Sequence, residues 1–279
     1  MRDRRWVKDG YEIVECPDCG VLFRAELPSA EGLLEIYGSA YFSASAGETH
    51  GQGYADYLGE EANHRANAKS RLGLLARHAT RGRLLDVGCA AGFFLHEATR
   101  MGWDVEGVEV ADGMVAHARG LGLTVHEAPF DDVELESEGF EVVTMWDYIE
   151  HSADPAGDLR HAARLLRPGG VLVLSTGDAR SIIARLSGRR WHLLTPRHHN
   201  FFFGPRSLQR AFDNAGVSVE LMTYTSSLYS VHYLLYKLRT LWDSPRLERM
   251  ARRVGRTRFG ERAIPINLRD IVTVVGRRR

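Results

Sequence analysis

The sequence predicts an α/β fold: a doubly wound, mostly parallel sheet with a late antiparallel strand, preceded by a small N-terminal segment. Three observations carry that prediction. Apolar runs of strand length alternate with stretches whose apolar residues recur at helical spacing, the pattern of a parallel sheet flanked by helices on both faces. Two glycines four apart, Gly88 and Gly92, close the first strand where it turns into a helix. With 279 residues, 44% of them hydrophobic, the chain is long enough to bury the large core such a sheet needs.

The elements follow in order. Leu72, Leu75, Ala76 and Ala79 mark a helix within Arg65 to Ala79, and Leu84, Leu85 and Val87 a buried strand ending at Gly88. A helix through Phe93, Phe94, Leu95, Ala98 and Met101 leads to a strand from Val105 to Val110. A helix from about Gly113 to Leu121 and a short strand from Thr124 to His126 follow. Phe140 to Trp146 is a strand, Ala156 to Leu166 a helix, and Val171 to Ser175 a strand after the Pro168-Gly169-Gly170 turn. The last third gives a helix from Arg206 to Asn214, a strand from Val217 to Tyr224 and a closing strand from Ile271 to Val275. Between those two late strands, which would complete the sheet antiparallel, lies a helical insertion at about 228–256. The domain division is therefore a small cysteine-bearing segment at 1–60, with a Gly/Ser-rich loop from Gly38 to Gly53, and a core at 65–279.

Composition excludes several classes. Lys plus Arg and Asp plus Glu both number 36, so no overall field attracts nucleic acid. Met1 to Gly10 is charged and lacks a signal-like apolar stretch, and no run approaches a bilayer span, so the expected compartment is cytoplasmic. Three cysteines do not make a disulfide framework and fit a reducing compartment.

Open parallel sheets bind ligands beyond the carboxyl ends of their strands, which directs attention to the glycine turn. A dinucleotide fingerprint needs a third glycine, and Ala90 occupies its place. Glu109, about twenty residues on, ends the second strand where a carboxylate accepts both hydroxyls of an unphosphorylated ribose. Asp86 adds an acid that repels phosphate and welcomes a cationic, amine-bearing group. Together they describe a nucleoside with a positively charged tail.

Leu85-Asp86-Val87-Gly88-Cys89-Ala90-Ala91-Gly92 resembles the first motif of class I S-adenosylmethionine (SAM)-dependent methyltransferases, and Gly107-Val108-Glu109 resembles their ribose-binding acid. Val142-Val143-Thr144-Met145-Trp146-Asp147-Tyr148-Ile149-Glu150-His151 is similar to the family's fourth-strand signature, and Leu165-Leu166-Arg167-Pro168-Gly169-Gly170-Val171-Leu172 to its turn into the fifth strand. The resemblance implies a Rossmann-like core and SAM as cofactor. It puts Asp86, Gly88 and Gly92 around the methionine part, with Cys89 and Phe93 on the same loop, and Glu109 on the ribose. Phe130 and Asp131 fall beside the adenine, and Trp146 and Asp147 line the pocket.

Methyl transfer to a hydroxyl needs a base with a pKa near working pH, so histidine comes first. Of the twelve histidines, His199 and then His198 lie in Trp191-His192-Leu193-Leu194-Thr195-Pro196-Arg197-His198-His199-Asn200-Phe201-Phe202-Phe203. That segment is similar to one in many small-molecule and lipid O-methyltransferases. The alternative is that these histidines satisfy loop carbonyls beside an aromatic cluster. His151 is a third candidate base, with pocket architecture as its plainer role.

Cys16-Pro17-Asp18-Cys19 is half of a zinc ribbon: it offers two thiolates of the four ligands a closed zinc site requires. A zinc-free hairpin with two reduced thiols is the competing reading. Val231, Leu234, Leu235, Leu238, Leu241 and Trp242 recur at helical spacing with Lys237 and Arg239 between them, which fits a helix packed on the sheet or a peripheral membrane contact. The sequence thus points to methylation of a small-molecule, sugar or lipid acceptor, with oxygen preferred. Its rivals are a deoxysugar C-methyltransferase, a non-catalytic SAM-binding scaffold and, more distantly, a nicotinamide oxidoreductase. Acceptor identity and oligomeric state are not encoded in any motif.

Overall fold

The computed structural model describes residues 5–29, 32, 57–235, 249, 250, 253, 254, 257, 260 and 262–279. The Gly38 to Gly53 stretch, and the part of the helical insertion that holds Leu238, Leu241 and Trp242, lie outside the described residues.

Seven strands form the central sheet: β4 (Arg83–Val87), β5 (Asp104–Glu109), β6 (Thr124–Glu127), β7 (Phe140–Trp146), β8 (Leu166–Gly177), β10 (Val217–Thr223) and β13 (Ile271–Arg278), in the order β10-β13-β8-β7-β4-β5-β6. Alternate residues of each strand serve opposite faces, as the pleat requires. Leu85, Val87, Val143, Met145, Leu172 and Leu174 join one core cluster; Leu84, Val142, Val171, Val173 and Val275 join the other. Both faces are therefore dry, and the strands read as continuous apolar runs.

Only β13 runs against the rest. It pairs antiparallel with β8, and β10 pairs antiparallel with β13, so β10 is parallel to the majority. The expectation of two antiparallel late strands holds for one: apolar content marks a strand, but only topology sets its direction. β8 also begins five residues before the predicted Val171. Its pairing with β7 jumps from Phe140↔Leu166 to Val142↔Val171, so Pro168, Gly169 and Gly170 form an irregularity within the strand, with Gly169 at φ +75°.

The helices are α1 (Glu61–Leu75), α2 (Phe93–Arg100), α3 (Asp112–Gly120), α4 (Pro155–Leu165), α5 (Ile182–Ser187) and α6 (Pro205–Asn214). α4 starts where the sequence can cap it: the Asp154 carboxylate accepts from the Gly157 amide at 2.9 Å, and Pro155 takes the first helical position, where no donor is needed.

The N-terminal segment is an antiparallel meander of β1 (Arg5–Lys8), β2 (Tyr11–Glu15) and β3 (Leu22–Arg24). The core supplies its fourth strand, β9 (Phe201–Phe202), paired with β3. Late in the chain β11 (Ser227–Ser230) and β12 (Ala263–Ile266) pair antiparallel, and β11 packs on α1. No described helix is long and apolar enough to cross a membrane.

Candidate active site at the carboxyl ends of the strands

Strand order reverses between β4 and β7, and beyond their carboxyl ends opens a cavity of about 1240 Å³. Of the residues singled out in the sequence, Asp86, Gly88, Cys89, Phe93 and Glu109 line it from the glycine turn. Phe130, Asp131, Trp146 and Asp147 line it from β7 and the loop after β6, and His151, His198 and His199 line it from the far side. Gly92 does not reach it. A Cβ there would stand 2.6 Å from Leu123 Cδ1 and 2.9 Å from Ala118 Cβ, so at φ +78° this glycine serves close packing on α3. Gly88, at φ +72°, is likewise crowded by Tyr148, whose Cδ2 would lie 2.9 Å from an added Cβ.

Glu109 is buried and locked. Its Oε2 accepts the Ala90 amide at 2.9 Å, and its Oε1 accepts the amides of Val110 and Ala111 at 2.8 and 2.9 Å. Oε1 is thus saturated by two amides, and Oε2 keeps lone-pair capacity for a further donor. Burial raises its pKa, partly offset by those amides. Asp86 is 3% exposed, and burial pushes its carboxyl up to about 7, while the Thr144 hydroxyl, donating to Oδ1 at 2.6 Å, opposes the rise. Two buried carboxyls so placed favour ligand donors and positive charge. The residues present therefore fit SAM: Glu109 would hold the ribose diol and Asp86 the cationic end. At the other end of the pocket Phe130 stacks on His161, with centroids 4.5 Å apart, and the Tyr148 hydroxyl donates to Asp158 at 3.1 Å. Cys89 is a buried thiol whose pKa burial lifts, and its Sγ sits where a side chain at Gly107 would be, 2.6 Å from the added Cβ.

Trp146 and Asp147 join β7 to α1. Arg71 lies over the Trp146 ring at 4.6 Å and pairs with Asp147 Oδ2 at 2.8 Å, while Asp147 Oδ1 accepts from Ser175 Oγ at 2.8 Å. Arg71, Asn67 and His64 share one face of α1 and all line the cavity. His64 stacks on Tyr57 at 4.1 Å, and burial drives its pKa down to about 4. Sequence reasoning missed this face. The signal was available as polar residues at positions 64, 67 and 71, beside the apolar stripe Ala68, Leu72 and Leu75.

On the far side of the cavity, His151 Nδ1 lies 2.9 Å from His198 O, and His199 Nδ1 lies 3.0 Å from Leu193 O. A carbonyl accepts only, so each Nδ1 carries a proton and Nε2 is the nitrogen at which each ring gains or loses its second one. The two rings meet edge to face at 4.8 Å. His198 is buried and contributes its carbonyl to that bond. Glu150, also missed as a site residue although it lies in the fourth-strand signature, is buried, and burial raises its pKa to about 8. Ligand atoms of Glu150, His151 and His199 lie within 4.8 Å of one another, a spacing that could hold a metal ion. Tyr229, Trp191 and Leu194 complete this chamber.

Cys16 and Cys19 lie away from the cavity, in the turn between β2 and β3, where the Gly20 amide donates to Cys16 O at 2.9 Å. Among the described residues no His, Cys, Asp or Glu joins them in a group of three that could hold an ion. The zinc expectation thus finds no support: half a ribbon folds as a turn held by backbone bonds and by Arg180, which donates to Gly20 O and Glu15 Oε1 at 2.6 Å each.

A family model described as a methyltransferase domain matches residues 59–221. The chain belongs to that methyltransferase family. The match takes in α1, the glycine turn, Glu109, both histidine segments and the strands as far as β10, and leaves out β1 to β3 and β13. A ubiquinone biosynthesis O-methyltransferase of Xanthomonas euvesicatoria pv. vesicatoria is 31% identical over 156 residues, half of this chain and 63% of that protein. A SAM-dependent methyltransferase from Thermotoga maritima, titled a possible histamine N-methyltransferase, superposes with TM-score 0.52 at 20% identity, over 80% of this chain and 94% of that one. A SAM-dependent methyltransferase from Archaeoglobus fulgidus gives 0.54 at 16%, over 80% and 99%. The fold is that of the SAM-dependent class I methyltransferases.

Proposed function

We propose that the protein transfers the methyl group of SAM to a hydroxyl of a small-molecule acceptor, leaving S-adenosylhomocysteine. One observation carries the choice of oxygen: two histidines, each with Nδ1 held by a loop carbonyl, line the same cavity as the locked Glu109 carboxylate. An imidazole so oriented, with a basic Nε2, suits removal of a hydroxyl proton as the oxygen attacks. Burial lowers the His151 pKa, which favours the neutral ring a base requires. Much of the remaining catalysis is positioning, because displacement at a sulfonium needs nucleophile and methyl in line at near-contact distance. SAM supplies the electrophilic methyl. The chain supplies the ribose anchor, the acid facing the cationic tail and the base.

The O-methyltransferase name of the relatives at 31% identity supports oxygen as acceptor atom. The rival C-methylation of a deoxysugar leaned on bound zinc and loses that support. The test measures S-adenosylhomocysteine formation with SAM and a panel of phenols and alcohols, set against the same acceptors with their hydroxyls already methylated. Turnover confined to free hydroxyls, and reduced at least about a hundredfold in His199→Ala with SAM affinity intact, is the expected result. Equal turnover on the blocked acceptors refutes oxygen as the acceptor atom.

A further inference from the structure

We propose that the acceptor mouth of the cavity docks on an anionic bilayer surface through α5, and that an amphiphilic acceptor enters from that surface. The docking stands by itself; the entry of acceptor rests on the methyltransferase reading above.

The argument begins with two side chains. Ile182 and Leu186 are 77% and 84% exposed, the most exposed large hydrophobics among the described residues. They are four apart on α5 and therefore share one face. The opposite face is spent on packing: Ala184 is buried, and Ile183 packs on the cluster of Trp191, Leu194 and Phe202. The helix is thus anchored from behind and turns its largest aliphatics outward.

Charge selects the partner. Arg185 lies on the same helix and Arg189 and Arg190 in the turn that follows it; all three are exposed, and no carboxylate occurs from Ala179 to Arg190. A short helix with aliphatic residues on one face and arginines around them matches the interface of an anionic membrane, where the aliphatics enter the acyl boundary and the cations meet headgroups.

Position links this surface to the site. Ile183, Ser187 and Arg190, from the same segment, line the cavity, and so do Leu268 and Arg269 in the loop before β13. Both Leu268 and Arg269 are exposed, so a second aliphatic residue and a further cation stand at the mouth. An acceptor with an apolar tail would pass from the bilayer into the aromatic chamber of Trp191 and Tyr229 without crossing water.

The experiment is co-sedimentation of the full chain with vesicles of phosphatidylcholine alone and of phosphatidylcholine mixed with phosphatidylglycerol. Two exposed-face variants, Ile182→Ser/Leu186→Ser and Arg185→Glu/Arg189→Glu, are run beside it; none of these four side chains lines the cavity. Binding is expected only to the anionic vesicles, weakened about tenfold or more in each variant and suppressed by salt, with SAM titration unchanged. Failure of the unmodified chain to bind anionic vesicles overturns the proposal, as does wild-type binding by the serine pair. Conversion of a dimer to a monomer by the serine pair, without vesicle binding, would make a second copy the occupant of this face. Vesicle binding without SAM binding would leave the docking standing and sink the methyltransferase reading instead.

Discussion

Asp86 offers the sharpest test of how the site is built, because it trades stability for binding. Its carboxyl ordinarily titrates near 3.8 and is pushed up to about 7 in the fold. Between those values the folded chain holds a proton that the unfolded chain has released, so stability falls as pH climbs from about 4 to about 7 and levels off above. The roughly three-unit rise corresponds to about 4 kcal/mol at pH 8. Asp86→Asn keeps an oxygen for the Thr144 hydroxyl and removes the ionisation. The variant should match wild type near pH 4 and gain up to about 4 kcal/mol at pH 8. Since about 1 kcal/mol moves Tm by 2–4 °C in a domain of this size, a rise of several degrees is expected at pH 8. Thermal unfolding of both proteins across pH 4 to 8 measures the difference. The same substitution should weaken SAM binding about tenfold above pH 7, with the deficit shrinking below, because wild-type Asp86 is then neutral as well. A stability difference independent of pH would refute the buried-acid reasoning. Unchanged SAM affinity at pH 8 would remove Asp86 from the cationic end of the cofactor.

Four further outcomes follow from the geometry. Glu109→Ala should cost SAM affinity about 1 to 3 kcal/mol by calorimetry, and an unaltered Kd would place the ribose elsewhere. Gly107→Val inserts atoms where Cys89 Sγ and Leu95 Cδ1 already stand, 2.6 and 2.8 Å from the first added carbon. Denaturant unfolding should show a loss of about 1 to 3 kcal/mol or more from overpacking, and full stability would mean the turn yields easily. Asn200→Ala removes a buried amide that donates to His151 O at 2.8 Å and Ser152 O at 3.2 Å and accepts from Arg24 at 3.2 Å. It should lose about 2 to 4 kcal/mol and depress turnover more than SAM binding. Metal analysis of the purified protein should find zinc far below one per chain, and a full equivalent would revive the ribbon.

The glycine-turn side of the cavity was legible because it is local. Asp86 to Phe93 and Gly107 to Glu109 belong to consecutive units, where strand pattern, turn residue and ligand group occupy adjacent positions. There Gly92 is demanded at least by Leu123 and Ala118, which crowd the place of a Cβ, and nothing in a glycine's sequence position tells ligand approach from close packing. The direction of β10 was hidden for a related reason. An apolar alternation is the same read either way, and β13 intervenes between β8 and β10 only in the folded sheet. The face of α1 was missed because a helix that covers a polar cavity carries polar residues where core patterning expects apolar ones.

The histidine side of the cavity is assembled by contacts across very long separations, and one buried side chain shows what that implies. Asn200 ties the end of β7 to the histidine loop, and through Arg24 both are tied to the N-terminal sheet, which β9 also joins by pairing with β3. On the other flank Trp191 donates to Asp270 Oδ2 at 2.9 Å, while the Asp178 amide donates to Asp270 O at 2.7 Å, so the loop before β13 fixes the same chamber. The N-terminal segment is therefore a wall on which His199 and His151 are set, whether or not its cysteines once held a metal. The family match from 59 to 221 omits β1 to β3 of that sheet and the loop at Asp270, two elements that brace the histidine chamber from outside. The histidine loop and His151 lie inside the matched domain, so what the match leaves out is the bracing that β1 to β3 and the Asp270 loop give this chamber from its two flanks.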